Sequence, residues 1–414
     1  MYGINTKIGL LKKSMGISLL IASAAASAGG GSAGAGLTPK QELGKILYFD
    51  TNLSMNRNQA CASCHLPPTF ADPANAADPA QAPVSLGSDT SLNGGRNAPT
   101  ASYAAFSPKF RYDPVDGLFI GGQFWDGRAS TLTDQAKGPF LNPVEMAMPN
   151  QQAVLNRVAD DQGPHYLQYK YLWKVVYDVK LSDLEGDASK VLLPGSKPAI
   201  IVDGYYHMLA DAIAEFEKSS FFSPFTSKYD YWLAGLARLS AEEQHGMDLY
   251  NGKAGCNACH TSDNLVAPDG SLLPPLFTDF TYDNIGVPHN TNPLIDANPA
   301  DLGLGGRADI AALDPTGGQN GKFKVSTLRN IAVTAPYGHN GFFATLEDIV
   351  HFYNTRDVKK EKWPSPEVKE NVNTSELGRL GLSPQEEADL VAFLKTLTDG
   401  YGAPLPQYQY SPLP

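Results

Sequence analysis

The sequence predicts a mainly α-helical protein that contains two domains of one type. Three observations support this prediction: a helix-start pattern occurs three times, strand-like alternation is scarce, and one stretch of sequence is repeated in the second half of the chain. At 414 residues the chain is long enough for two or three domains, and the repeat favours two.

The repeat relates residues 37–48 to residues 239–250. Leu, Thr or Ser, Gly, Leu and Tyr occupy matching positions, and each copy opens with a hydroxyl N-cap that acids or amides follow. Pro39 occupies the first helical position of the first copy. A third start, at residues 383–386, opens a helix that we expect to close the second domain. Its apolar residues lie on one face: Leu390, Phe393, Leu394 and Leu397.

Each repeated helix precedes a C-x-x-C-H motif, and the two motifs contain every cysteine of the chain. They read Cys61-Ala-Ser-Cys64-His65 and Cys256-Asn-Ala-Cys259-His260. This pattern is typical of covalent haem c attachment, in which both thiols form thioethers and the histidine becomes the proximal iron ligand. A zinc site or a redox C-x-x-C is the alternative, but neither requires the histidine, and a single zinc needs both motifs to converge. The sequence therefore predicts two cytochrome c-like domains.

The N-terminus has the features of a cleavable signal peptide over residues 1–28. Three lysines precede an apolar run at residues 17–26, and a small-residue cleavage site follows. The run is too short for a membrane anchor, so we expect a periplasmic protein without a lipid or membrane anchor. Cleavage changes the formal net charge from −11 to −14, because the segment carries three lysines and no acids. This charge argues against nucleic-acid binding.

The predicted organisation has five parts. A signal peptide and a flexible leader precede two haem c domains, and a C-terminal tail follows them; the boundaries are 1–28, 29–36, 37–195, 196–398 and 399–414. Between the motifs, stretches rich in Pro, Gly, Asn and Asp are predicted to be ordered loops, because aromatic residues are frequent nearby.

Three further motifs, together with the haem motifs, resemble those of the di-haem cytochrome c peroxidase and MauG superfamily. They are Phe-Trp-Asp-Gly-Arg at 124–128, Gly-Pro-Phe-Leu-Asn-Pro-Val-Glu-Met at 138–146, and the stretch from Phe-Lys-Val-Ser-Thr-Leu-Arg-Asn to Ala-Pro-Tyr at 323–337. The similarity covers nearly the whole mature chain. It implies that the N-terminal haem reacts with hydrogen peroxide.

The resemblance also implies roles for individual residues. Glu145 and Gln135 would lie on the distal side of the N-terminal haem, with Pro139 shaping the pocket, and Trp125 would lie between the haems as an electron relay. A carboxylate at that place can transfer a proton between the two peroxide oxygens. The alternatives are a solvated loop acid for Glu145 and a core residue for Trp125.

A structural calcium ion is the third cofactor that the resemblance implies. Asn97 would help to bind it, and Thr334 and Pro336 would contribute backbone carbonyls, which are ligands that calcium favours. His339 matches a family histidine near this region, where a structural or a catalytic role is equally possible.

Two departures from the peroxidase pattern indicate the branch within the superfamily. Between His65 and His165 the chain has no histidine that could occupy the distal side of the first iron, and no methionine follows Met247 to bind the second. The family position for that methionine holds Tyr353, whereas His351 points to the other side of the same helix. A His/Tyr ligand set resembles the branch of MauG and MbnH, and a phenolate lowers the potential of the iron. A core tyrosine is the alternative.

The resulting hypothesis is a MauG-like enzyme that uses hydrogen peroxide to form a high-valent two-haem state and oxidises a Trp or Tyr residue of a partner protein. One alternative is a di-haem cytochrome c peroxidase that takes electrons from a small cytochrome c or cupredoxin. A second is a pure electron carrier, against which Glu145 argues. Trp173, Trp232 and Trp363 are candidate exit points for the electron transfer, although each is more often a core residue.

Overall fold

The computed structural model describes residues 36–190, 192–266 and 272–402. The predicted signal peptide, nearly all of the predicted leader and residues 403–414 of the predicted tail lie outside the described residues. Within the described ranges, none of the helices combines the length and apolar character that crossing a membrane requires.

Helices are the main regular structure, and the strands are only two or three residues long. The α-helices are α1 (Pro39–Phe49), α2 (Cys61–Cys64), α3 (Pro73–Ala77), α4 (Leu132–Leu141), α5 (Gln151–Ala159), α6 (Tyr166–Tyr177), α7 (Lys197–Glu217), α8 (Lys228–Leu233), α9 (Ala241–Asn251), α10 (Ala308–Leu313), α11 (Leu346–Thr355) and α12 (Pro384–Lys395). The strands are β1 (Arg111–Asp113), β2 (Leu118–Ile120), β3 (Leu265–Val266), β4 (Leu272–Leu273), β5 (Tyr282–Asp283) and β6 (Phe323–Lys324), which form the antiparallel pairs β1–β2, β3–β4 and β5–β6. Long irregular segments join these elements, so the helical content is modest.

The three predicted helix starts are confirmed by their caps. At α1, the Gln41 backbone N–H donates to Thr38 Oγ1, and the Thr38 backbone N–H donates to Gln41 Oε1 at 3.0 Å. Ser240 and Ser383 form the same reciprocal arrangement at the starts of α9 and α12. Each cap satisfies backbone N–H groups that have no partner inside the helix.

The sequence repeat has a counterpart in helix packing, because α1 packs against α7 as α9 packs against α12. A glycine lies at each contact. A Cβ on Gly44 would lie 2.6 Å from the carbonyl carbon of Ala212, and a Cβ on Gly246 would lie 2.6 Å from that of Asp389. Both positions thus need a residue without a side chain, and α7 is the counterpart of α12.

Two large hydrophobic cores follow from these helix pairs. The first extends along the chain from Leu43 to Phe222 and includes the buried face of α7, and the second extends from Tyr229 to Leu397. The predicted division between residues 195 and 196 would separate α7 from α1, its packing partner. The domain boundaries stay a prediction, and the packing favours a division between Phe222 and Tyr229.

Candidate functional site

The first C-x-x-C-H motif forms one helical turn, α2, that fixes its histidine. The His65 backbone N–H donates to the carbonyl of Cys61 at 2.9 Å, and Tyr48 Oη donates to the carbonyl of His65 at 2.8 Å. Nδ1 of His65 donates to the carbonyl of Phe70 at 3.3 Å, which leaves Nε2 as the nitrogen that could bind a metal. Burial lowers the pKa of His65, and this favours the neutral imidazole that metal ligation requires.

The second motif repeats these hydrogen bonds, although its backbone forms a 3-10 turn at Cys256–Ala258. The His260 backbone N–H donates to the carbonyl of Cys256 at 2.9 Å, and Tyr250 Oη donates to the carbonyl of His260. Nδ1 of His260 donates to the carbonyl of Phe277 at 3.0 Å. Phe277 and its counterpart Phe70 both have positive φ angles, so the two copies share an uncommon backbone conformation.

These donor sets fit two c-type haems better than zinc. None of the four cysteines forms a disulfide, and burial raises the pKa of each thiol. The surroundings therefore favour a neutral sulfur, such as a thioether, over the thiolate that a zinc site needs. Among the described residues, the group of possible metal ligands that includes a cysteine is Cys259, Asp283 and Glu376, so the two motifs do not combine into one site.

A cavity of about 300 Å³ lies beside the second motif. His260 borders it, and so does Tyr353 from α11. Apolar side chains form much of its wall, as a planar macrocycle with apolar faces requires; they include Ile349, Val350, Leu390 and Leu394. The cavity thus brings together the predicted proximal histidine and the predicted tyrosine ligand.

Tyr353 and His351 differ in their surroundings, as their positions on the helix predict. Tyr353 borders the cavity, whereas His351 Nδ1 lies 3.0 Å from Glu387 Oε1 and the His351 side chain is 40% exposed. Burial raises the pKa of Tyr353, so its phenolate form requires a cation beside it. An iron atom in the cavity would supply that charge.

Glu145 lies in the turn after α4, close to the first motif. Asn142 Nδ2 donates to Glu145 Oε1 at 2.7 Å, which leaves Oε2 to carry a proton. Burial raises the pKa of Glu145, and the Asn142 hydrogen bond and the charge of Arg128 act in the opposite direction. The charge of Glu145 also raises the pKa of the Cys61 and Cys64 thiols, although burial is the largest cause there. The carboxylate is therefore near the thiols that would attach the first haem.

Gln135 and Pro139 lie one turn apart on α4 and share a helix face. Both are half-buried. Pro139 has no N–H to donate to the carbonyl of Gln135, and the Met146 backbone N–H donates to the carbonyl of Pro139 at 3.1 Å. This bond folds the Glu145 turn back against the end of α4.

Trp125 borders the cavity of the second motif, and hydrogen bonds fix both its side chain and its backbone. Its Nε1 donates to the carbonyl of Asn97 at 2.8 Å, and its own carbonyl accepts a hydrogen bond of 2.8 Å from the Lys324 backbone N–H. The indole therefore has a fixed position at the cavity wall.

The three predicted calcium ligands, Asn97, Thr334 and Pro336, border this same cavity. Asn97 is buried, and its Nδ2 donates to the carbonyl of Pro83 at 3.2 Å, so its Oδ1 is the oxygen that remains for a cation. His339 lies nearby and is buried, with Nε2 at 2.9 Å from Glu367 Oε2.

The candidate exit tryptophans are not prominent surface residues. Trp173 is fully buried in the first core, whereas Trp232 and Trp363 are half-buried against the second. Two further charged residues were not recognised from the sequence pattern, one half-buried and one buried. Lys324 belongs to the Phe-Lys-Val-Ser motif, and Glu217, which is 7% exposed, lies at the end of α7. An acid among the apolar residues of α7 was the available signal for Glu217.

Comparisons with known proteins identify the family of this chain. The family model for di-haem cytochrome c peroxidases matches residues 38–238. The chain is 37% identical over 379 residues to the methylamine utilization protein MauG of Paracoccus denitrificans, with 88% of this chain and 89% of that protein covered. The chain belongs to the di-haem cytochrome c peroxidase family. It is also 30% identical to the cytochrome c551 peroxidase of Nitrosomonas europaea, over 86% of this chain and 79% of that protein.

Solved structures agree with this assignment. The di-haem peroxidase BthA of Burkholderia thailandensis superposes with a TM-score of 0.72 at 29% identity, and 91% of this chain and 90% of that chain are covered. A MauG-like protein associated with microbial copper homeostasis gives a TM-score of 0.59 at 28% identity, over 88% and 91% of the two chains. The protein therefore has the di-haem peroxidase fold, and it is a peroxide-dependent oxidoreductase of a family that carries two c-type haems.

Proposed function

We propose that this enzyme acts in the periplasm, where it uses hydrogen peroxide to oxidise a Trp or Tyr residue of a partner protein, as a MauG-like enzyme. Tyr353 carries the proposal. It borders the same cavity as His260, at the position where the resemblance to the peroxidases implies a methionine. When bound, the two haems supply a peroxide-binding iron and a store for two oxidising equivalents.

Glu145 is the proposed proton carrier at the peroxide end. Asn142 orients the carboxylate through Oε1, so Oε2 can take a proton from one peroxide oxygen and return it to the other. Burial raises the pKa of Glu145 above its ordinary value, which makes the carboxyl group better able to hold the proton during such an exchange. Gln135 and Pro139 share a face of the helix that precedes this turn, and we propose that they border the same site.

Trp125 is the proposed relay between the two sites. Its indole is fixed by the hydrogen bond to the carbonyl of Asn97, and the negative end of that carbonyl stabilises a positive charge on the ring. Tyr353, as a phenolate, would stabilise oxidised iron and thereby make the second site a store of oxidising power rather than an electron acceptor. Calcium bound by Asn97, Thr334 and Pro336 would hold the segment that contacts Trp125.

The decisive experiment is near-infrared absorption of the fully oxidised holoenzyme after one equivalent of peroxide, without reductant. We expect a broad new band that the Tyr353→Met variant loses. His351→Ala is the matched control, because it changes the same helix outside the cavity and should keep the band.

The opposite result would support the alternative function. If the wild type shows no band and consumes peroxide rapidly only when reduced cytochrome c is supplied, the enzyme is a cytochrome c peroxidase. Loss of the band in both variants would mean that any change in α11 abolishes it. The result would then give no support to Tyr353 as an iron ligand.

A further inference from the structure

Lys324 is a half-buried cation without an anionic partner in the described part of the chain. Its Nζ donates to Ser107 Oγ at 2.6 Å and to the carbonyl of Gly122 at 2.5 Å. Both acceptors are neutral. Ser107 Oγ donates its own proton to the same carbonyl at 2.8 Å, so it serves Lys324 only as an acceptor. A charged ammonium group offers three donors, and these contacts use two of them.

The carboxylates that border the cavity do not neutralise Lys324, because other groups hold them. Arg96 binds Asp301, His339 binds Glu367, and Asn373 donates to both Asp283 and Glu376. Within the described residues, no carboxylate oxygen lies within salt-bridge distance of Nζ. Nζ lies 5.6 Å from the centroid of the Phe280 ring, whose face attracts a cation but carries no net charge. Burial lowers the pKa of Lys324 to about 7, as expected for a cation that has no anion beside it.

Lys324 has a fixed position at the cavity wall. It belongs to β6, where it pairs with Tyr282 of β5, and its backbone N–H donates to the carbonyl of Trp125. The side chain is half-buried and borders the same cavity as His260 and Tyr353. A ligand in this cavity would therefore meet a positioned cation without first having to order a flexible side chain.

We propose that Lys324 is the counter-cation for a propionate carboxylate of the C-terminal haem. A haem carries two carboxylates, and a buried carboxylate needs a paired charge and hydrogen bonds as much as a buried ammonium does. The third N–H of Lys324 would donate to the propionate, next to the backbone of Trp125. This inference uses the haem that family membership implies, and it does not depend on whether the oxidised substrate is a protein residue.

The test uses the holoenzyme and two measurements that need no turnover. Lys324→Met keeps an unbranched side chain one atom shorter and removes its charge. The midpoint potential of the C-terminal haem should therefore decrease, and the propionate bending band in its resonance Raman spectrum should shift. Lys324→Arg should retain the wild-type band and most of the potential. Ser107→Ala is the matched control, because it removes a neutral contact of Nζ and should change neither quantity substantially.

Two outcomes would overturn the proposal. One is a Lys324→Met protein with the wild-type potential and Raman band. The other is the same change in Ser107→Ala as in Lys324→Met, which would show that Lys324 only anchors the Gly122 backbone. If Lys324→Met fails to fold, the wild type and Lys324→Arg still test the proposal. A Lys324 that is paired with a propionate stays charged between pH 6 and 9, so the midpoint potential of the wild type should not change in a step near pH 7. Such a step in the wild type, absent from Lys324→Arg, would overturn the proposal.

Discussion

Replacement of Gly44 by alanine should destabilise the enzyme, although alanine is the better helix former. In α1 the substitution gains about 1 kcal/mol of helix propensity. The new Cβ, however, would overlap the carbonyl oxygen of Ala212 and lie 2.9 Å from Phe216 Cβ. Because that oxygen is backbone, α7 itself must move, and overpacking of this kind costs about 1–3 kcal/mol. With a main-chain overlap the cost lies at the upper end, so we expect a net loss of about 2 kcal/mol.

Gly204→Ala is the matched control for this prediction. Gly204 also lies in a helix, α7, but a Cβ added there would meet no atom within 4 Å, so the same substitution should stabilise by about 1 kcal/mol. The assay is the midpoint of urea denaturation of the holoenzyme, followed by circular dichroism. A Gly44→Ala protein at least as stable as the wild type would refute the close approach of α1 and α7. In a Gly44→Ala protein that still folds, the spectrum of the N-terminal haem should change more than that of the C-terminal haem, because α7 belongs to the first core.

Three further predictions follow from other contacts. Tyr250→Phe leaves the partly buried carbonyl of His260 without its donor and should cost about 1 kcal/mol in urea denaturation; a neutral effect would contradict the contact. Glu145→Gln should slow the peroxide reaction at least about 100-fold in stopped-flow absorption. Because burial raises the pKa of Glu145 above 4.5, the wild-type rate should fall as the pH decreases through that raised pKa, and the variant should lack this fall. Arg329→Met removes the fully buried guanidinium that lies 2.6 Å from Asp230, whose side chain is 8% exposed. The change should cost about 3–5 kcal/mol, of which Asp230→Asn in the same protein should recover a part.

Local signals made the helix starts and the ligand face of α11 predictable. A hydroxyl N-cap followed three residues later by an acid or amide determines where a helix begins, and helical spacing determines which residues share a face. Both rules concern neighbouring residues, so Ser383 and the opposite orientations of Tyr353 and His351 could be predicted from the sequence. The cavity that Tyr353 borders could not be predicted in this way, because its lining residues come from distant parts of the chain.

The assignment of α7 to the first core depended on contacts between distant residues. No haem motif adjoins α7 in the sequence. The helix that packs against it is α1, which makes the contact at Gly44 and lies far away in the chain. A glycine in a helix does not reveal which backbone it accommodates. Lys324 was missed for a related reason, because a single lysine in a short strand gives no sign that its charge is buried without a partner.

The asymmetry between the two sites can be traced to one position of the repeat. α4 packs on α7 and α11 packs on α12, and both helices begin with Thr-Leu-x-Asp, in which the threonine caps the helix. Aligned on that start, Pro139 corresponds to Tyr353. A proline side chain offers no ligand atom, so the first iron would keep an open position for peroxide, whereas a tyrosine at the same place would close the second. One scaffold, with equivalent histidine contacts in both copies, would therefore provide the proposed reactive site and the proposed storage site through the residue that each copy presents from this helix.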